Sequence, residues 1–180
     1  MEIIDLYEQH RRPLGKTLLR GQKLPEDTYR AVVHICLMRS DGFMLIQQRQ
    51  DSKSIFPGIW DLSAGGQLLS GETPEEGVCR ELQEELGVLV KPFGLRPRLT
   101  IHFDGGFDDI FLIDLEPSLD ALRLQKDEVK AVCWADCETI LQRIREGSFV
   151  PYHEAFIRLL FTLQHQEGSF DESCTPTGAY

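Results

Sequence analysis

The sequence predicts a mixed α/β (α+β) fold, a mixed β-sheet sandwiched between helices. Three observations predict it. Short strand-like apolar runs alternate along the chain with helical ones instead of collecting in one half. Residues 74–86 carry both a helix start and a helix stop signal, and residues 152–166 repeat apolar side chains at helical spacing.

Residues 1–29 are polar and mixed, with Pro13, Gly15, Gly21 and Pro25, and read as an N-terminal arm, irregular or made of short strands. From Arg30 to Met38 the run Ala31-Val32-Val33-His34-Ile35-Cys36-Leu37 reads as a buried strand; Ser40-Asp41-Gly42 is a turn, and Phe43 to Gln48 returns, which predicts a β-hairpin. Residues 54–66 form a strand-and-loop approach to the first helix. Thr73 is a good N-cap, Pro74 suits the first helical position, Glu76 completes a capping box and Gly87 ends the helix. Further strands are expected near 88–91, 98–103, 109–115 and 129–135, and helices near 136–146 and 152–166. In the last of these, Ala155, Phe156, Leu159, Leu160 and Leu163 predict a core face. The folded domain is expected over residues 30–167 and a loose tail over 168–180, which lack periodicity.

A chain of 180 residues with 42% hydrophobic and 27% charged content suits one globular domain. Its formal net charge of −10 argues against nucleic acid or an anionic membrane as the main partner, since both demand a basic surface. A phosphate-bearing substrate would need local positive charge, and bound metal is the natural source. Met1 is followed by Glu2 and Asp5 rather than a basic-then-apolar leader, and the five cysteines have no framework spacing, so a cytoplasmic protein with reduced thiols is expected. Cys133 and Cys137 lack the second pair or nearby His of a structural zinc site.

The chemistry concentrates on residues 74–86. Glu81, Glu84 and Glu85 lie at i, i+3 and i+4 on one helical face, while Val78, Cys79, Leu82 and Leu86 form the apolar face. Carboxylates this close repel one another and call for compensation. Hard divalent ions such as Mg²⁺ or Mn²⁺ prefer oxygen ligands, although a solvated acidic face has the same composition.

Residues 66–88 place five residues between Gly66 and Glu72, then after seven more residues continue as Arg80-Glu81-Leu82-Gln83-Glu84-Glu85-Leu86-Gly87-Val88. This resembles the Nudix box at every defined position, and with average residue frequencies a chance match is on the order of one in a million. The resemblance implies a Nudix fold and a pyrophosphohydrolase acting on a nucleoside diphosphate linked to X, with Mg²⁺ or Mn²⁺ as cofactor. It assigns Glu81, Glu84 and Glu85 to the metal, Arg80 to orienting the glutamates, and Gly65 and Gly66 to a close approach of backbone to the diphosphate. Glu72 would pair with Arg80 or stand near the metal, and both residues are equally well read as braces of the loop–helix junction.

The reaction so implied is attack of water on one phosphorus, with a general base drawn from Glu84 or Glu85, or from Glu128 just before the strand that ends near Trp134. Ahead of the box, Gln48-Arg49, Lys53 and residues 56–61 resemble the segment found in isopentenyl-diphosphate isomerase and its hydrolase relatives, where Arg49 and Lys53 would face the diphosphate. His34 and His102 read as core or edge residues of their strands. The partner expected is a small-molecule diphosphate, with a homodimer possible as in other members of the family.

Two rival readings remain. An isomerase of isopentenyl diphosphate needs a catalytic cysteine in the stretch that here reads Asp61-Leu62-Ser63-Ala64-Gly65-Gly66. A nucleotide-binding module without catalysis generally loses box carboxylates, and all four glutamates are kept here.

Overall fold

The structure, a computed structural model, describes residues 2–165; the tail expected at 168–180 lies outside them. In chain order the elements are β1 (Ile3–Tyr7), β2 (Pro13–Leu19), β3 (Arg30–Met38), β4 (Met44–Arg49), β5 (Trp60–Asp61), β6 (Ala64–Gln67), α1 (Pro74–Leu86), β7 (Leu99–Phe103), β8 (Gly106–Asp114), a 3₁₀ turn (Leu119–Ala121), β9 (Val129–Ala135), α2 (Cys137–Arg145) and α3 (Glu154–His165).

The mixed sheet between helices is as expected. β3 is its centre, parallel to β8 from Arg30↔Gly106 to Met38↔Asp114 and antiparallel to β6 from Val32↔Gln67 to Ile35↔Ala64. Because side chains alternate along a strand, β3 serves two cores. Ala31, Val33, Ile35 and Leu37 join Val78, Leu82 and Leu86 of α1 on one side. Cys36 and Met38 join Ile140 and Leu141 of α2 and Ile157 and Leu160 of α3 on the other.

The hairpin expected from residues 30–48 exists at its turn and nowhere else. β3 and β4 share the single pair Met38↔Met44, with Arg39 N–H donating to Phe43 C=O at 2.7 Å. β4 then leaves β3 and pairs with β9 from Met44↔Ala135 to Arg49↔Val129 and with β5. The splay opens the sheet and makes room for a cleft.

Residues 88–91 are not a strand. The Val88 N–H is taken by Leu82 C=O at 3.0 Å, completing the cap at Gly87, so the segment has no ladder partner, although Val88 and Val90 pack on the core while Leu89 is 77% exposed. The core face of the last helix is also rotated from the expected one. Ile157, Leu160 and Gln164 are buried, whereas Ala155 and Leu159 are exposed, because the helix docks by its i, i+3, i+7 stripe.

α1 behaves as its sequence signals dictate. Thr73 Oγ1 accepts from Glu76 N–H, the Glu76 carboxylate accepts from Thr73 N–H, and Gly87 closes the helix in the left-handed conformation at φ 70°. The arm is a two-stranded sheet of β1 and β2 fastened to the domain. Ile4 and Leu6 are buried, Tyr7 bridges Tyr29 and meets the Phe107 ring edge-on, and Asp5 accepts from Ser70 Oγ and Gly71 N–H.

Candidate active site

Where β4 departs from β3, a cleft of about 760 Å³ opens. Arg30, Val32 and His34, alternate residues of one face of β3, line it, with Gly65, Gly66 and Gln67 of β6 beside them. Glu81, Glu84 and Glu85 enter from α1, Arg49 from the end of β4, Lys53, Ser54 and Ile55 from the segment after it, and Gln125 and Glu128 from the loop before β9. Glu2, Ile4, Arg20, Gly21, Gln22 and Leu24 of the arm close the remaining wall. Every candidate residue named from the sequence except Arg80 and Glu72 therefore lines one cavity, and Arg80 joins Glu72 to the cavity-lining Glu81 and Glu84.

Arg80 ties the loop before α1 to the glutamates of the helix. Its Nε and Nη2 donate to the two Glu72 oxygens at 2.8 and 2.9 Å, and Nη2 also donates to Gln67 C=O at 3.1 Å. Its Nη1 donates to Glu81 Oε1 at 2.8 Å and Glu84 Oε2 at 3.2 Å. Burial disfavours its charge, yet the Glu72 hydrogen bond and the Glu81 charge outweigh that and push its pKa up. Glu72 also accepts from Leu69 N–H at 2.9 Å, which makes it a brace of the loop–helix junction.

Gly65 and Gly66 leave space that neighbouring groups occupy. A Cβ on Gly66 would sit 1.9 Å from Glu81 Oε1, and one on Gly65 would sit 2.7 Å from His34 Cδ2 and 2.8 Å from Val33 O. The glutamates thus reach the cleft across a stretch of β6 that has no side chains. Glu81 and Glu85 are both buried there. Burial raises the Glu81 pKa against the opposing Arg80 charge, and burial together with the Glu81 charge pushes Glu85 up to about 8, although Gln47 Nε2 and Gly65 N–H donate to it at 3.0 and 3.3 Å.

Two buried carboxylates beside an exposed third make an all-oxygen donor set short of positive charge, and its chemistry fits a hard divalent cation. They are not gathered into a cage. Among the described residues no three His, Cys, Asp or Glu side chains converge closely enough to hold an ion, because Arg80 draws Glu81 and Glu84 to itself while Glu85 turns to Gln47 and Gly65.

The cations expected at the diphosphate are present and engaged. Arg49 Nη1 donates to Asp61 Oδ2 at 3.0 Å, and Asp61 in turn accepts from Tyr152 Oη at 2.9 Å. Lys53 pairs with Glu128, so the two residues named separately from the sequence form one ion pair across the cleft. The loop that carries Glu128 is anchored to the end of α1, with Arg123 N–H donating to Leu86 C=O and Gln125 N–H to Glu85 C=O.

Sequence reasoning missed Arg20, Arg30, Gln47 and Gln125, and read His34 as a core or edge residue of its strand. His34 Nδ1 and Asp108 Oδ2 are 2.7 Å apart; burial disfavours the imidazolium, but the Asp108 charge and hydrogen bond overcome it and push His34 up to about 9. One signal was available, since Arg30 and His34 are polar at alternate positions of an otherwise apolar run.

Comparison with known proteins agrees with this geometry. The family model for the NUDIX domain matches residues 28–160. An uncharacterized Nudix hydrolase of Listeria monocytogenes is 39% identical over 165 residues, covering 92% of this chain and 96% of its own. An isopentenyl-diphosphate Delta-isomerase of Corynebacterium diphtheriae is 26% identical, covering 83% and 86%. Among solved structures, a Deinococcus radiodurans protein superposes with a TM-score of 0.74 at 26% identity, over 88% of this chain and 99% of that one. The box read from the sequence is folded as a capped helix whose glutamates meet a glycine strand in an open cleft, and with a family match spanning both, the chain belongs to the Nudix hydrolases.

Proposed function

We propose that the protein hydrolyses a diphosphate linkage in a nucleoside diphosphate linked to X, with Mg²⁺ or Mn²⁺ bound by Glu81, Glu84 and Glu85. The observation that carries the reading is the approach of the helix glutamates to the glycines of β6: Glu81 Oε1 lies 1.9 Å from where a Gly66 Cβ would stand, and Glu85 accepts from Gly65 N–H at 3.3 Å. When bound, the divalent ion supplies positive charge to the phosphate oxygens and acidifies water.

The protein's own groups do the rest. Gly65 and Gly66 leave the cleft floor open to the diphosphate, and Arg49, held by Asp61, offers its remaining donors to phosphate oxygens. Arg80 fixes Glu81 and spans the distance to Glu84, so the carboxylates keep their places as charge enters and leaves. Glu84 is the most exposed of the three and is free to turn towards substrate or to take a proton from the attacking water. Lys53 has to release Glu128 before Glu128 can act as base, and a substrate phosphate competing for the Lys53 ammonium provides that release.

Hydrolysis is favoured over isomerisation because no thiol is among the described residues that line the cleft. Unpaired Cys36, Cys79, Cys133 and Cys137 support a reducing, cytoplasmic setting. The test is phosphate-product formation with Mg²⁺ or Mn²⁺ against nucleotides, nucleotide sugars, dinucleotides and isopentenyl diphosphate, beside Glu84→Gln and Glu85→Gln. Cleavage of one class by the wild type and its loss in the variants supports the reading. Tight nucleotide binding without cleavage, or migration of the isopentenyl double bond, overturns it.

A further inference from the structure

The diphosphate reading leaves two cleft arginines unused, Arg20 and Arg30, and they differ in their partners. Arg20 pairs with Glu2, Arg49 with Asp61 and Lys53 with Glu128, whereas among the described residues Arg30 has no carboxylate partner, and its buried Nε has no hydrogen-bond acceptor. Its guanidinium lies over the Phe103 ring, 5.7 Å from the centroid. That stacking is built into the fold. Arg30, Gly106 and Phe103 lie side by side across β3, β8 and β7, and a Cβ on Gly106 would meet the Phe103 ring at 2.6 Å. Gly106 thus leaves the space that the Phe103 ring and the Arg30 backbone occupy, and the guanidinium over the ring keeps its hydrogen-bonding edge unspent.

Position sets the kind of ligand. Gly65, at the glutamates, is paired with His34, and Arg30 lies four residues back along β3 on the same cleft-lining face. At the usual strand rise this is roughly 13 Å between the backbones, which roots the Arg30 side chain well along the cleft from the glutamates. Arg30 also lines a second cleft of about 500 Å³, formed with Gln22, Leu24 and Gly105, so the two cavities meet at its side chain.

We infer that Arg30 is a specificity residue that binds a further phosphate, one carried on the sugar or far end of the substrate, away from the scissile anhydride. The inference rests on the reading of the cleft as a diphosphate site. The substrate class it points to is a diphosphate ester with an additional phosphomonoester on one arm.

The test is binding by calorimetry to the full chain with Ca²⁺ in place of Mg²⁺, using two matched pairs of probes, NADPH against NADH and coenzyme A against its 3′-dephospho form. The wild type is expected to prefer the phosphorylated member of at least one pair by about ten-fold, the value of a charge-assisted hydrogen bond. Arg30→Gln should reduce that preference to within two-fold, with Arg30→Lys between the two and Phe103→Leu lowering it in part. Thermal melting of each variant separates loss of the contact from loss of the fold. Absence of preference in the wild type for both pairs, including absence of binding, overturns the inference, as does a preference that survives Arg30→Gln. Hydrolysis of the four probes with Mg²⁺ is scored separately, so an Arg30-dependent preference without any turnover would sink the hydrolase reading and leave the phosphate site standing.

Discussion

Gly66→Ala isolates the feature on which the catalytic reading depends. The new methyl group would stand 1.9 Å from Glu81 Oε1, 2.5 Å from Cδ and 3.1 Å from Oε2. To reach even 3.0 Å the carboxylate must retreat by about 1.1 Å, and it is the free end of a side chain, so it can do so without moving the backbone. Retreat strains or breaks the 2.8 Å bond from Arg80 Nη1. A misplacement of about 1 Å in a catalytic group costs on the order of 10²-fold in rate.

The effect on stability should be small. Loss of one charge-assisted hydrogen bond, about 1.5–3 kcal/mol at most, is offset by moving a buried carboxylate and by about 0.5–1 kcal/mol gained when alanine replaces glycine in a strand. We therefore expect kcat with saturating Mg²⁺ to fall about 100-fold while stability changes by no more than about 1–2 kcal/mol. In a Glu81→Gln background, where the side chain has already lost its charge, the same alanine should cost far less, because the two changes act on one group. A Gly66→Ala enzyme within three-fold of wild-type kcat, or a loss that simply adds to that of Glu81→Gln, would refute the argument.

Gly65→Ala should show the opposite pattern, because its Cβ meets Val33 O, a backbone atom that cannot step aside; a loss of about 1–3 kcal/mol in urea unfolding is expected, and an unchanged midpoint counts against it. His34 titrates near 9 when folded against about 6.5 when unfolded, so its contribution is full below about 6.5 and is lost as pH rises through about 9; it is at most about 3 kcal/mol, and the fall should flatten in His34→Asn. Glu85, raised from 4.5 to about 8, likewise weakens the metal-free fold as pH rises across that window, so Glu85→Gln should melt higher than the wild type at pH 9 in EDTA while losing activity. An equal or lower melting temperature would show that Gln47 and Gly65 already compensate the charge. Asp61→Asn should raise KM more than it lowers kcat, since it loosens Arg49 and leaves the glutamates in place; an unchanged KM would remove Arg49 from the binding site.

What the sequence makes legible is local. The α1 boundaries, both caps and the shared face of Glu81 and Glu85 follow from spacing within one helix, because each signal and its partner lie within four residues. Pairings made at long range are not legible in this way. Nothing near residues 30–38 announces that β3 takes β8 and β6 as neighbours, and an apolar run followed by a turn reads as a hairpin even where β4 leaves for β9. The same limit governs the site. Lys53 and Glu128 were each visible, but not as partners across 75 positions, and Arg20 reaches the cleft only because β1 and β2 dock on the domain.

Electrostatics accounts for how an acidic chain would host the proposed phosphate site. The cleft is lined by Arg20, Arg30, Arg49 and Lys53, but also by Glu2, Glu81, Glu84, Glu85 and Glu128, so its fixed charges come close to cancelling. Three of these four cations are already spent on carboxylates, as is the protonated His34 on Asp108, which leaves little field to draw in an anion. A divalent ion on the three helix glutamates would reverse that balance where the diphosphate is to sit, and each phosphate oxygen that then displaces a carboxylate from Arg49 or Lys53 frees an acidic group at the moment chemistry needs one. Arg30 differs in having no carboxylate to displace. Its contact costs no broken ion pair, so it can discriminate between substrates through binding alone, whereas Arg49 and Lys53 must exchange partners as substrate enters.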